Sequence, residues 1–215
     1  MNRRRFPVKN SMGKIFESVL ITQDEQTHKL AILLPGAGYH IRMPIFYYLT
    51  SLFLEKGYDV LHINYNFSGD EYEKLSNAAF FQCVKKDVLA AFEKVVPGSL
   101  YQEFTVAGKS LGTLAMTGLF TEKKEMENAR AIWLTPLLHN EAVFEHMIDT
   151  GRKSLAVMGT DDFGFREERW TQIKQKPNFD TWLIDQADHS LDIKSDALSS
   201  IEALKTAIEH MKQFI

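Results

Sequence analysis

Phe104-Thr105-Val106-Ala107-Gly108-Lys109-Ser110-Leu111-Gly112-Thr113-Leu114-Ala115 is the stretch on which the reading of this chain turns. It passes from an apolar, β-branched run through a Gly-x-Ser-x-Gly turn into small and apolar residues suited to a helix. Glycines two residues either side of Ser110 are what a tight strand-to-helix turn needs, because side chains there would collide with the adjoining strand and helix. Such a turn holds the serine in strained backbone and presents its hydroxyl at the carboxyl edge of a sheet. The alternative for these residues is an ordinary glycine-rich βα turn. The choice between the two depends on whether the partners of a reactive serine occur elsewhere in the chain.

Attack by a serine leaves a negative oxygen that backbone N–H donors must stabilise, one from the residue after the nucleophile and one from an earlier strand exit. Leu111 fills the first place. The turn Leu34-Pro35-Gly36-Ala37-Gly38-Tyr39 fills the second, through Ala37. A dinucleotide-binding loop is excluded there because the third glycine would fall at Ile41 and no acidic residue follows at the expected distance. A phosphate loop built on Gly108-Lys109-Ser110 fails likewise, since its opening glycine would be Glu103.

A hydroxyl also needs a base, and the base needs an orienting carboxylate, both later in the chain. The apolar run 155–158 exits into Gly159-Thr160-Asp161-Asp162, and the run 181–184 exits into Asp185-Gln186-Ala187-Asp188-His189-Ser190-Leu191. The order Ser, Asp, His is the one this architecture requires. His189 is one of seven histidines and is singled out by position; His40 and His139 are the others near the active edge. Asp162 is favoured as the carboxylate, with Asp161 as the alternative.

Outward from these motifs, short apolar runs at 30–34, 60–63, 104–107, 131–134, 155–158 and 181–184 read as strands covered on both faces. Amphipathic segments at 43–56, 71–96, 111–123, 141–151, 166–176 and 195–214 read as helices. The first opens on Pro44 and is followed by Gly57, the start and stop chemistry of a helix. Strict alternation of strand and helix predicts parallel strands joined by right-handed crossovers, hence an α/β/α three-layer sandwich with a mostly parallel sheet. Residues 1–215 are expected to form a single domain, with no repeat or low-complexity linker to divide them.

Charge and composition narrow the partners. With 25 Lys and Arg against 28 Asp and Glu, the net charge of −3 favours neither nucleic acid nor an anionic membrane surface. Arg3, Arg4 and Arg5 open the chain, but Pro7, Lys9 and Asn10 interrupt where a secretion signal would need an apolar run. No stretch approaches the ~18 apolar residues of a membrane span. Cys83 is the sole cysteine, so neither an intramolecular disulfide nor a thiolate metal site can form. The expectation is a cytoplasmic protein acting on a small molecule, with no metal and no organic cofactor.

On the segments 33–38, 108–112, 159–162 and 187–191 the chain resembles the α/β-hydrolase superfamily, and within it the small serine hydrolases similar to dienelactone hydrolase. The resemblance implies an acyl-enzyme mechanism with Ser110 as nucleophile, His189 as base and then acid, and Asp162 as orienting carboxylate, acting on a small carboxylic ester or thioester. Two features depart from it. Pro35 stands where many relatives have a histidine, and Ser110 stands where dienelactone hydrolase has a cysteine, so the lactone substrate does not carry over. A non-catalytic member of the fold, binding a ligand or a protein, is the alternative of a different class. Many relatives carry a large cap after the strand at 131–134; here the insertion has room for one short helix, which implies a minimal cap and a shallow, open pocket. Tyr39, His40, Phe67, Leu137, Leu138, Phe163 and Phe165 are expected to line it, with plain packing as the alternative for the apolar ones.

Overall fold

The structure, a computed structural model, describes residues 1–67 and 69–215. The described residues form strands β1 (Asn2–Lys9), β2 (Ile15–Thr22), β3 (Lys29–Leu34), β4 (Asp59–Ile63), β5 (Glu103–Lys109), β6 (Arg130–Leu134), β7 (Ser154–Gly159) and β8 (Phe179–Ile184). They also form helices α1 (Pro44–Glu55), α2 (Asp70–Glu73), α3 (Asn77–Phe92), α4 (Leu111–Glu122), α5 (Glu141–Asp149), α6 (Glu167–Lys174) and α7 (Ala197–Phe214). All eight strands join one sheet in the order β1-β2-β4-β3-β5-β6-β7-β8.

From β3 to β8 every pairing is parallel, as the alternation of apolar runs and amphipathic segments requires. Strands β3 to β7 are covered on both faces. Ile45, Phe46, Leu49 and Phe53 of α1 and Ala207 and Met211 of α7 pack against Ala31, Leu33, Val60, Ile132 and Val157 on one side. Val84, Val88 and Phe92 of α3, Leu114 and Leu119 of α4, Met147 of α5 and Ile173 of α6 pack against Leu30, Ile32, Leu61, Val106 and Trp133 on the other. Each such large side chain contributes roughly 2 kcal/mol by leaving water, and truncating fully buried Phe53 to alanine is expected to cost about 3–5 kcal/mol. The result is the three-layer α/β/α sandwich.

Two features depart from the expected pattern. First, the chain opens with an antiparallel hairpin, β1 and β2, whose second strand pairs antiparallel to β4. Its turn is made by Gly13 at φ 81° and held by Asp87 of α3, which accepts a hydrogen bond from the Ser11 N–H at 2.6 Å. β1 lies outermost, and Arg3, Arg4 and Arg5 in it are exposed. Second, the single helix expected over 71–96 is broken into α2 and α3 at Ser76, whose hydroxyl accepts from the Ala79 N–H at 3.3 Å as an N-cap. α1 begins and ends as its chemistry dictates, with Pro44 in the first turn and Gly57 at φ 78° beyond it.

The strand order fixes where the loops meet. β3 is flanked by β4 on one side and β5 on the other, so the connections leaving β3 and β5 diverge to opposite faces and open a crevice at the carboxyl ends. The loop from Pro35 and the turn at Ser110 flank that crevice. The helix α5, which occupies the insertion after β6, packs with Val143 and Met147 into the α3–α6 layer rather than over the crevice.

Candidate active site

Ser110 is the residue between β5 and α4, and its backbone sits at φ 52°, ψ −117°. A non-glycine residue there carries conformational strain, held in place by what surrounds it. The Ser110 N–H donates to the Leu134 carbonyl of β6 at 3.0 Å, and its own carbonyl accepts from the N–H (2.8 Å) and hydroxyl (2.6 Å) of Thr113. A Cβ on Gly108 would lie 2.4 Å from the Met116 sulfur, and one on Gly112 would lie 2.0 Å from the Leu34 carbonyl oxygen. Both glycines are therefore required by close approach, the second because α4 begins against the end of β3.

The loop leaving β3 reaches the same place. A Cβ on Gly36 would stand 3.2 Å from that of Ser110, and the loop is closed by a hydrogen bond from Gly36 N–H to the Tyr39 carbonyl (3.1 Å) and tied down by the Tyr65 hydroxyl on the Pro35 carbonyl. Among the described residues, no hydrogen bond takes up the main-chain N–H of Ala37 or of Leu111, so two donors flank Ser110 uncommitted.

The carboxyl ends of β7 and β8 bring the acid and the histidine together. Asp162 Oδ2 lies 2.8 Å from His189 Nδ1, and Oδ1 accepts from the Gly164 N–H at 2.7 Å. The Asp162 carboxylate is wholly buried whereas the His189 ring is a quarter exposed. Against an ionised carboxylate, which can only accept, Nδ1 is the donor, and in the neutral imidazole Nε2 is then the acceptor. Nε2 is buried and without a hydrogen-bond partner, so the structure joins Asp162 to His189 but not His189 to Ser110. Asp161 is exposed; its N–H ties the turn to the Ala187 carbonyl at 3.0 Å, and the hydrogen bond to the histidine belongs to its neighbour.

The remaining candidates separate by exposure. Phe163 is 63% exposed and its ring lies 4.4 Å from the His189 ring and 5.9 Å from the His139 ring, centre to centre, which places it as a lip over the imidazole. His40 is exposed in the loop after β3. Tyr39 is buried, its hydroxyl accepting from the Ile45 N–H at 3.1 Å. Leu137 and Leu138 are buried in the core, and Phe165 packs against it with its ring 6.5 Å from that of Trp170. Phe67 packs among Tyr65, Tyr72 and Phe80, edge-on to the last two. His139 is held below the ordinary imidazole range by burial and by Arg166. A cleft of about 440 Å³ lined by Arg4, Gln23, Asp59 and Tyr101 lies at the opposite, amino-terminal end of the sheet and takes no part in this site.

Two residues not among the sequence candidates sit between these elements. Lys109 is fully buried, and Thr135, the first residue beyond β6, has φ 41°, unusual for a β-branched side chain. A charged residue following the apolar run 104–107 was the available signal for Lys109, and nothing in the sequence marks Thr135.

No protein-family model matches the chain, and no curated protein matches it by sequence. Solved structures do. A putative alpha/beta hydrolase from Agrobacterium tumefaciens superposes with a TM-score of 0.72 at 18% identity, over 98% of this chain and 95% of that one. An alpha/beta serine hydrolase without a lid from Xanthomonas campestris gives 0.71 at 12% identity over 99% and 93%, and an esterase from Pyrococcus furiosus 0.68 at 16% over 99% and 92%. Sheet order, crevice and structural neighbours agree: this chain has the α/β-hydrolase fold.

Proposed function

We propose that the protein is a serine hydrolase that cleaves a small carboxylic ester or thioester through an acyl-Ser110 intermediate. The observation that carries this reading is the 2.8 Å hydrogen bond between the buried Asp162 carboxylate and His189 Nδ1, with Nε2 unpartnered, together with a serine in strained backbone at the exit of β5. In the proposed cycle Nε2 takes the Ser110 proton as Oγ attacks the carbonyl carbon. The N–H groups of Ala37 and Leu111 receive the developing oxyanion, and the imidazolium then protonates the departing alcohol or thiol. Water enters, gives its proton to Nε2, and releases the acid, returning that proton to Ser110. Asp162 holds the tautomer and stabilises the imidazolium throughout. The esterase and serine-hydrolase names of the structural neighbours support the hydrolase class, and the placement of α5 in the helical layer supports an open pocket that admits small substrates.

A fluorophosphonate probe tests the reading. The folded wild type is expected to label covalently and Ser110→Ala not to, and turnover of p-nitrophenyl esters and acyl thioesters of graded chain length reports the acyl preference. Labelling that persists in folded Ser110→Ala removes Ser110 as the nucleophile. A folded wild type that neither labels nor turns over esters favours the ligand-binding alternative.

A further inference from the structure

The residue before the proposed nucleophile is a lysine with no exposure to solvent. Lys109 ends β5 on the α1/α7 side of the sheet, the side to which Ala107, two residues earlier, also belongs. Its ammonium donates to the Thr135 hydroxyl at 2.7 Å and to the main-chain carbonyl of His189, and stands 4.7 Å from the centre of the Tyr39 ring. Loops from four strand ends therefore converge on one nitrogen: Tyr39 after β3, the turn at Ser110 after β5, Thr135 after β6, and His189 after β8. Thr135 is itself fixed, its N–H on the Val157 carbonyl at 2.8 Å. The His189 loop is pinned on its far side by Asp161 N–H to the Ala187 carbonyl, 3.0 Å, and by the Ala187–Ile193 bridge. On its near side the carbonyl of His189 is held by Lys109.

We propose that Lys109 is a positioning residue for the base: by holding the His189 carbonyl and the Thr135 hydroxyl together, its ammonium sets the distance between the imidazole and Ser110. This rests on the hydrolase reading above. The base and the nucleophile lie on different loops, and the lysine is covalently next to one and hydrogen-bonded to the other, so a shift of the loop moves Nε2 relative to Oγ directly. A displacement of about 1 Å in such a pair costs on the order of 100-fold in rate.

The device depends on charge. The groups facing the ammonium are Asp162 after β7, Asp188 and Asp192 of the His189 loop, His189 itself, and the Tyr39 ring. The three carboxylates favour the proton and burial opposes it more strongly, leaving Lys109 lowered to about 8. As the proton leaves, the nitrogen loses a donor and the positive charge that faces the Tyr39 ring.

The test compares kcat, KM and their pH dependence for an activated ester in the wild type, Lys109→Met, Thr135→Val and Ser110→Ala, with amide hydrogen exchange over 185–193 read in parallel. In Lys109→Met, kcat is expected to fall about 10- to 100-fold with KM within about threefold, and exchange over 185–193 to rise. Wild-type kcat is expected to decline above about pH 8 toward the variant's level, whereas Lys109→Met stays flat there. Thr135→Val, which withdraws an acceptor from the ammonium, is expected to move that decline to lower pH, and it carries the test if Lys109→Met does not fold. A Lys109→Met enzyme with kcat within about twofold of wild type, or an alkaline limb common to wild type, Lys109→Met and Thr135→Val, overturns the proposal. Turnover that survives Ser110→Ala, or a wild type without turnover, instead defeats the hydrolase reading, and the anchoring is then decided by the exchange data alone: unchanged exchange in Lys109→Met rejects it.

Discussion

Replacing Lys109 by methionine is expected to make the protein more stable at neutral pH. The side chain is fully buried and its ammonium is lowered by burial from 10.5 to about 8, a difference worth about 3 kcal/mol against the folded state when the group is charged. The unfolded chain keeps this proton up to about pH 10.5, while the folded chain releases it near 8. Between those values the unfolded chain binds more protons, so wild-type stability rises with pH, by about 2 kcal/mol from pH 7 to about 9.5. Methionine conserves the shape and removes the titration. At pH 7 it sheds the cost of about 3 kcal/mol but leaves the Thr135 hydroxyl and the His189 carbonyl without their donor, at about 1 kcal/mol each, for a net gain of about 1 kcal/mol. Urea unfolding of both proteins at intervals over this pH range measures it. The raised tyrosines, Tyr39, Tyr58, Tyr65, Tyr72 and Tyr101, titrate higher and are common to both chains, so they cancel in the difference. A difference between wild type and variant that stays constant from pH 7 to about 9.5 refutes the reasoning, because it would mean that Lys109 does not titrate there.

Other perturbations address the acid and the buried histidines. Asp162→Asn is expected to reduce ester turnover by about 10²- to 10⁴-fold, through loss of the tautomer and of the imidazolium's partner, whereas Asp161→Asn is expected to stay within about twofold; comparable losses in the two would remove Asp162 from its role. His62 and His146 are both lowered by burial to about 4, so from pH 6.5 down to about 4 the unfolded chain takes up protons that the folded one refuses, and stability should decline through that window. His146→Phe, placed where the imidazole stacks on Phe120 at 5.6 Å, is expected to make the decline shallower, and an unchanged slope of urea midpoint against pH would contradict this.

The parts of the fold that were legible in sequence are those whose burial leaves a compositional trace. β3 to β7 are almost wholly buried, so their apolar runs mark themselves, and edge strand β8 keeps the run 181–184 although Asp180 is exposed and Thr181 to Leu183 are half-buried. β1 and β2 leave no such trace, since β1 is exposed along most of its length and alternation in a hairpin with one open side is interrupted by charge. The break at Ser76 is hidden because the apolar spacing of Phe80, Phe81, Val84 and Val88 lies wholly within α3 and does not mark where the helix begins, which a single hydroxyl sets. At the site, the elbow and the strand exits were legible because glycine spacing and chain order record them. The choice between Asp161 and Asp162 was open because adjacent residues share a turn and differ only in the direction each carboxylate takes. The convergence on Lys109 lay beyond reading, because its acceptors come from residues 26 and 80 positions away.

The edge strand β1 has a consequence for life at high concentration. An open sheet ends in a row of backbone donors and acceptors that any extended segment can match, the route by which β proteins join edge to edge. On β1 that row runs past Arg3, Arg4 and Arg5 and past Pro7, which has no N–H to offer. A second copy aligned on it would set arginines about 5 Å from arginines, at roughly 1 kcal/mol per close pair even in water. Replacing the triplet with threonines would leave the fold's core untouched and turn this border into a template for aggregation.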